Sequence, residues 1–353
     1  MIPVITIKEI AKLAGVSTAT VSNVLNSRGR VGEEVRQRVL KIVEQYQYKP
    51  NLVAKNLREK AVRTIGVIVE DIVSFNVPPI IDGINAYAEE HGIHVLLHNL
   101  RLSQKIDFVS ADQRKYKRLA NESAEVLLQN QADGLIYIPI SVRDLTGLIE
   151  CGNHTVVYTY GTVTVGEEHP KSFSVGMDEE GGAYHATKEL VQAGHKRIAC
   201  ILGNTESLST QERLKGFQKC LMDNDRKQYP QYLKDGDWTF LGGYQAGRKI
   251  FGQEIPPTAV FCMSDVMACG VIKAVRELGL SIPMDVSVIG FDNLEFCNYL
   301  DSPLTTVHLP LKQIGYEAAR CLYEEIIAPV KNRQNVMLPC SIKIRNSIST
   351  IKG

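Results

Sequence analysis

TIKEIAKLAGVSTATVSNVLNSRGRVGEEVRQRVLKIVEQYQYKPNLVAKNLREK, residues 6–60, reads as three short helices and a basic linker. Thr6 can cap the first helix with its hydroxyl, and Glu9 can reach back to complete a capping box. Ile7, Ile10, Ala11 and Ala14 recur at the spacing of one helix face. Gly15 permits the left-handed backbone that a sharp turn needs. Ser17 can then cap a second helix, Thr18 to Asn26, whose Val21, Val24 and Leu25 turn inward. Two short helices joined by Ala14-Gly15-Val16 make a helix-turn-helix, and the second helix of that unit is the one that enters a major groove. Its outward side chains are Thr18, Ala19, Ser22, Asn23 and Asn26. They are small or polar, as a surface that approaches base edges and phosphates must be. A third helix, about 33–46, supplies Val35, Val39, Ile42, Val43 and Tyr46 to close a small core.

Charge is divided unevenly along the chain. Residues 1–60 hold eleven Lys or Arg against five Asp or Glu, a balance of +6, while the whole chain is +1, which leaves −5 for residues 61–353. A basic module on a mildly acidic body predicts a polyanion partner for the module alone. The helical pattern by itself also fits an ordinary helical hairpin; the charge asymmetry is what favours DNA.

The 353 residues are too many for one typical domain. No apolar run approaches the ~20 residues that cross a bilayer. The start, MIPVITIKEI, lacks the basic and apolar regions of a signal peptide. The eight cysteines, at 151, 200, 220, 262, 269, 297, 321 and 340, contain no CxxC pair. They read as reduced core thiols of a cytoplasmic protein.

From Thr64 onward, short apolar strands alternate with helices. TIGVIVE, IHVLLHN, GLIYIPI and TVVYTY form one series, with helices expected between them, including one over 141–154. SFSVGMD opens a second series through RIACILG, TAVFCMS and DVSVIGFD, and NVMLPCSIKI reads as one final strand. Strands apolar on both faces predict parallel sheets covered by helices. The fold class is therefore α/β, two doubly wound parallel-sheet lobes preceded by a small all-α headpiece. Ligands sit outside the carboxyl ends of such strands, so two facing lobes make a cleft between them.

Several separate motifs, IKEIAKLAGVSTATVSNVLN, YKPNLVAKNL, HKRIACILG, RLKGF, PTAVFCMSDVMACGV, DVSVIGFDN and SPLTTV, resemble the LacI/GalR family of bacterial transcription regulators. The resemblance spans essentially the full length. It implies a headpiece over 1–50, a hinge over 51–61, and a core of the periplasmic-binding-protein type. One lobe is then expected over 62–161 and 309–334, the other over 162–308 and 335–353. It also implies a homodimer on pseudopalindromic operator DNA, answering to a small molecule in the cleft. Thr18, Ala19 and Asn23 match base-reading positions, and Ser17, Thr20, Ser22 and Asn26 match phosphate contacts. In the hinge, Asn51, Ala54 and Leu57 match DNA-contacting positions, Leu57 being the wedge that unstacks a base step in the minor groove.

For the effector, the resemblance points to Ser74, Phe75, Asn76, Tyr158, Ser209, Arg213, Trp238, Ser264, Asp265 and Asp292. Arg supplies a planar fork of donors and Asp accepts hydroxyl hydrogens, a pair suited to a polyhydroxy ligand. An Arg and an Asp so placed also fit a plain ion pair, and a single tryptophan also fits core packing. Ser264 stands where relatives usually carry Asn. The segment 101–118 is about ten residues longer than usual and rich in Lys and Arg. No added heptad helix follows the last strand, so a dimer is expected.

Enzyme motifs are missing: there is no GxSxG, no GxxxxGK[ST] and no HExxH. His91, His94 and His98 resemble a metal cluster, but Gly92 should end a helix at His91 and leave the other two in a strand, so no metal and no cofactor is expected. The expected function is a ligand-responsive repressor of carbohydrate-utilisation genes with a sugar effector. The alternatives are a regulator answering to a purine or nucleoside, one steered by a phosphoprotein, and a solute-binding transport protein.

Overall fold

The computed structural model describes residues 5–25, 31–46, 62, 64–105, 113–150, 152–166, 171–330 and 333–351. The chain divides into two compact units, 1–61 and 62–353. The first contains α1 (Ile7–Ala14), α2 (Thr18–Leu25) and α3 (Glu33–Gln45). The capping box forms, with the Thr6 N–H donating to Glu9 Oε2 at 2.7 Å and the Glu9 N–H donating to Thr6 Oγ1 at 3.4 Å. Gly15 closes α1 at a φ of 65°. The Thr20 N–H donates to Ser17 Oγ at 3.1 Å at the start of α2. Ile10, Ala11, Ala14, Val21, Val24 and Val39 make the buried core. So few apolar side chains suffice because each helix buries one face against the other two.

The second unit holds two six-stranded sheets. The first contains β1 (Thr64–Val69), β2 (His94–Asn99), β3 (Gly134–Ile138), β4 (Val156–Thr159), β5 (Ser172–Asp178) and β11 (Val336–Pro339), in the order β11-β5-β4-β3-β1-β2. All its pairings are parallel. The second contains β6 (Ile198–Leu202), β7 (Leu233–Asp235), β8 (Ala259–Cys262), β9 (Ser287–Asp292), β10 (Thr305–His308) and β12 (Ser341–Lys343), in the order β12-β10-β9-β8-β6-β7. Only β12 runs antiparallel, against β10. In β1, Val67 and Val69 enter one core cluster and Ile68 the other, so both sheet faces are buried. That two-sided burial is why the strands read as continuous apolar runs.

Helices α4 (Val77–His91), α5 (Gln113–Gln129) and α10 (Leu311–Ile327) cover the first sheet. Helices α6 (Glu179–Gln192), α7 (Leu208–Asp223), α8 (Phe240–Phe251) and α9 (Asp265–Glu277) cover the second. Gly92 ends α4 with a φ of 64°, leaving His94 and His98 in β2 as the sequence indicated. Among the described residues no helix is long and apolar enough to cross a membrane.

Three sequence expectations need correction. The first strand of the second series, β5, lies in the first sheet beside β4, with Val156 opposite Ser172. The lobe changes after this strand, at Asp178–Glu179, rather than at 161–162. Residues 172–178 and 336–339 therefore belong to the first lobe. An apolar strand has the same composition in either sheet, so pattern cannot show which sheet it joins. Second, NVMLPCSIKI is two strands in two sheets, because the chain crosses at Cys340. Third, no helix forms among the described residues of 141–154. Turns at Gly147 and Gly152, both at positive φ, replace it. The segment is tied instead to the strand exit, with the Leu145 N–H donating to the Thr162 carbonyl at 2.9 Å and the Thr162 N–H to that of Arg143 at 3.0 Å.

Helices α4 and α10 cross through glycines. A Cβ on Gly83 would stand 1.9 Å from the Lys312 carbonyl oxygen, and one on Gly315 1.9 Å from that of Ile80. Replacing Gly315 by Ala gains about 1 kcal/mol of helix propensity but forces the backbones apart, at the upper end of the ~1–3 kcal/mol seen for overpacking. The Gly315→Ala variant should unfold at lower urea concentration than the parent. A midpoint at or above the parent's would contradict this close crossing.

Candidate functional site

Arg213 projects from α7 toward the carboxyl ends of β8 and β9, and is 2% exposed. Its guanidinium donates to the Met263 carbonyl and, at 2.6 Å, to Glu179 Oε1. Asp292 Oδ1, at the end of β9, lies 3.7 Å from it. The guanidinium carbon lies 3.7 Å from the Phe291 ring centroid and 5.3 Å from that of Trp238. Trp238 in turn lies on Gly203 at the end of β6, where a Cβ would fall 2.0 Å from the indole. Burial works against the Arg213 charge, but Glu179 and Asp292 outweigh it and raise its pKa. Burial pushes the Asp292 carboxyl well above its usual range, with Arg213 opposing.

Three buried polar atoms here have no hydrogen-bond partner in the protein: Glu179 Oε2, Thr210 Oγ1 and Arg213 Nε. Thr210 stands one helical turn before Arg213 on α7. Buried polar groups are nearly always paired, so a cluster of such atoms marks a place where a ligand or water completes the bonding. Backbone strain gathers at the same place. Tyr160, Asp237, Trp238, Asp292 and Asn293 all have positive φ, five of the eight such non-glycine residues among those described. Such conformations cost roughly 1–3 kcal/mol each and cluster at ligand sites.

The strained turn after β9 is braced by Asp265, the first residue of α9. Its carboxylate accepts from the Leu294 N–H at 2.8 Å and the Thr306 hydroxyl at 2.6 Å. Burial raises the Asp265 pKa to about 6. Ser264 accepts from the Met267 N–H at 3.2 Å and caps α9. The Asp265 carboxylate thus braces the turn that carries Asp292, and Ser264 fixes the start of α9. Ser209 is buried beside Thr210 near the start of α7.

The first lobe contributes differently from expectation. Tyr158 is fully buried in the first-lobe core, its hydroxyl accepting from the Ile149 N–H at 3.1 Å. It does not join the cluster. Tyr160, just past β4, does: burial and the carboxylates of Asp292 and Glu179 push its hydroxyl pKa up. A φ of 50° turns the chain there, which strand alternation could not foretell. Ser74 donates to Asn76 Oδ1 at 2.6 Å, and Asn76 Nδ2 donates to the Pro139 carbonyl at 2.8 Å, which fixes the loop between β1 and α4. Phe75 between them is 42% exposed. A second polar knot lies at the ends of β1 and β3. Glu70, fully buried, accepts from the Tyr137 hydroxyl at 2.7 Å and the Ile140 N–H at 2.9 Å, and pairs with Tyr116 and Arg143. Tyr116 belongs to α5, so this knot anchors the end of the long segment 101–118.

In the headpiece, Ser17, Thr18, Ala19 and Asn23 are exposed, and Thr20 and Ser22 are half-buried. The inward face of α2 carries Val21 and Val24. Asn26, Asn51, Ala54 and Leu57 lie outside the described residues.

Residues 6–51 match the family model described as bacterial regulatory proteins, lacI family, and residues 187–348 match that of a periplasmic binding protein-like domain. The HTH-type transcriptional repressor PurR of Vibrio vulnificus is 32% identical over 98% of this chain and 99% of its own. That of Vibrio cholerae is 33% identical over 91% of each. This chain belongs to the LacI family. Among solved structures, the lac repressor dimer bound to operator and the anti-inducer ONPF is 26% identical, with a TM-score of 0.78 over 98% of this chain and 100% of that one. The CelR–cellobiose complex is 25% identical, with a TM-score of 0.64 over 97% of this chain and 99% of that one. The chain is thus a helix-turn-helix transcription regulator with a binding-protein-like core, and its relatives are repressors rather than enzymes.

Glu179, Tyr160, Thr210 and the Glu70 knot were not legible in the sequence of this LacI-family regulator. Glu179 is one of three adjacent acidic residues, 178–180, and only the exit of β5 selects it. Removing one partner of a buried ion pair costs about 3–5 kcal/mol, because the other charge stays buried. Arg213→Met should therefore unfold at much lower urea than the parent. Adding Glu179→Gln should recover part of the loss. Additive losses would mean that the pair is not coupled.

Proposed function

We propose that this regulator is a repressor whose operator affinity is set by a small, uncharged, hydroxyl-rich effector, a sugar or related polyol, held between the lobes. The observation that supports this reading is the trio of unpartnered polar atoms on Glu179, Thr210 and Arg213. An acceptor, a hydroxyl and an N–H donor under the edge of an indole suit a ring with an apolar face and a polar rim. Asp292 accepts or shares a hydroxyl hydrogen, and Tyr160 supplies the first lobe's contact. Phe75 closes the rim, while Ser74, Asn76, Ser264 and Asp265 hold the contacting groups in position. A purine base or nucleoside is the second reading, because the curated relatives are PurR repressors. For the sugar, the solved relative CelR is a complex with cellobiose.

On DNA, the reading is a homodimer on a pseudopalindrome. Thr18, Ala19 and Asn23 meet base edges, and Ser17, Thr20, Ser22 and Asn26 meet phosphates. Asn51, Ala54 and Leu57 enter the minor groove. Effector binding changes operator affinity because it favours one arrangement of the lobes over another.

Mobility-shift titration of the full chain on its upstream DNA is expected to show selective binding that weakens steeply with salt, since the basic headpiece releases counterions. Asn23→Ala should cost roughly 1–3 kcal/mol at one base position. Equal affinity for unrelated DNA at every salt concentration would refute the operator reading. Trp238 is the only tryptophan, so its fluorescence reports the cleft. Titration with neutral sugars should change it saturably and shift operator binding in the same concentration range. Response to nucleobases alone would replace the sugar with the second reading.

A further inference from the structure

We propose that Glu179 sets the charge class of the effector: it occupies Arg213, so the cleft admits neutral or cationic hydroxyl-rich ligands and rejects phosphorylated or carboxylated ones. This rests on the cleft reading above. An arginine in a ligand cleft would ordinarily be an anion receptor. Here its fork is already engaged, by the Glu179 carboxylate on one side and the Met263 carbonyl on the other. Its guanidinium also packs against the rings of Phe291 and Trp238. Nε is the one guanidinium nitrogen of Arg213 with no hydrogen-bond partner.

The charges give the same answer. With Asp292 ionised, Glu179, Asp292 and Arg213 sum to −1; with Asp292 protonated they sum to zero. Neither state leaves a net positive charge for an anionic ligand. A phosphate could take the arginine only by displacing Glu179, which is buried and makes no ion pair with another cation among the described residues. The unpartnered Glu179 Oε2 instead accepts a donor, which a hydroxyl or an ammonium supplies and a phosphate dianion does not. Glu179 also stands where β5 of the first lobe hands the chain to α6 of the second. A ligand that engages it touches the crossover itself.

Sulfate tests the idea without knowledge of the effector. The full-length protein is titrated with sodium sulfate at constant ionic strength set with sodium chloride, following Trp238 fluorescence and melting temperature. The parent is expected to show no saturable response at millimolar sulfate. Glu179→Gln, of the same shape and without the charge, should show a saturable response in that millimolar range, a gain of roughly tenfold or more in apparent affinity. Glu179→Gln with Arg213→Met should lose it again. Equal responses in parent and Glu179→Gln, or none in a folded Glu179→Gln, would overturn the proposal.

Should Glu179→Gln not fold, the parent alone decides through matched pairs: ribose and ribose 5-phosphate, glucose and glucose 6-phosphate, adenosine and adenosine monophosphate. A neutral member must bind better in every responding pair. A phosphorylated member that binds better overturns the charge rule. Response confined to adenosine removes the sugar but leaves the rule standing. If no pair responds, the parent's sulfate titration decides: a saturable response there overturns the rule, and a flat one upholds it.

Discussion

The ion pair between Arg213 and Glu179 is the contact on which the rest of the core's site depends. Neither group could be buried alone, since an unpaired charge in such a place costs several kcal/mol. Together they fix the carboxyl ends of three strands and the crossover between lobes relative to one another. Arg213 reaches β8 through the Met263 carbonyl, β9 through Asp292 and Phe291, and the exit of β5 through Glu179. The geometry leaves three polar atoms, on Glu179, Thr210 and Arg213, without a partner in the protein.

Around this pair the protein accepts strain. The turn Asp292–Asn293 and the turn Asp237–Trp238 both hold non-glycine residues at positive φ. Asp265 and Thr306 brace the first, and the packing of Trp238 on Gly203 braces the second. Ser264, expected at the effector, caps α9, and Asp265 accepts from Leu294 and Thr306.

The chain crosses between lobes three times, after β5, after β10 and at Cys340. Burial, with the Glu179 carboxylate adding to it, pushes the Cys340 thiol up to about 12. The thiol is thus neutral beside the ion pair, and the crossover packs against the site without adding a charge. A ligand at Arg213 lies next to the segments that must bend if the lobes move. Coupling between the cleft and the remainder of the molecule needs no long pathway within the core.

The local rules of the headpiece were legible in the sequence, although Tyr46, expected in its small core, is not among the residues that form it. The Thr6–Glu9 box, the Gly15 turn and the inward faces of α1 and α2 depend on residues three or four apart, and such contacts are set by helical periodicity alone. The apolar strands and the LacI-type motifs likewise gave two sheets, the arginine and the aspartate. Which sheet a strand joins depends on pairing between residues far apart in the chain, and only the tertiary structure decided that β5 and β11 belong to the first lobe. The same holds for the site's charge. Three adjacent acidic residues, 178–180, look alike as sequence, and folding alone directs the side chain of Glu179 inward onto Arg213 while Asp178 caps α6. Tyr158 and Tyr160 differ in the same way: both are buried, but Tyr160 lies near Asp292 and Glu179, because a single residue at positive φ ends the alternation of the strand.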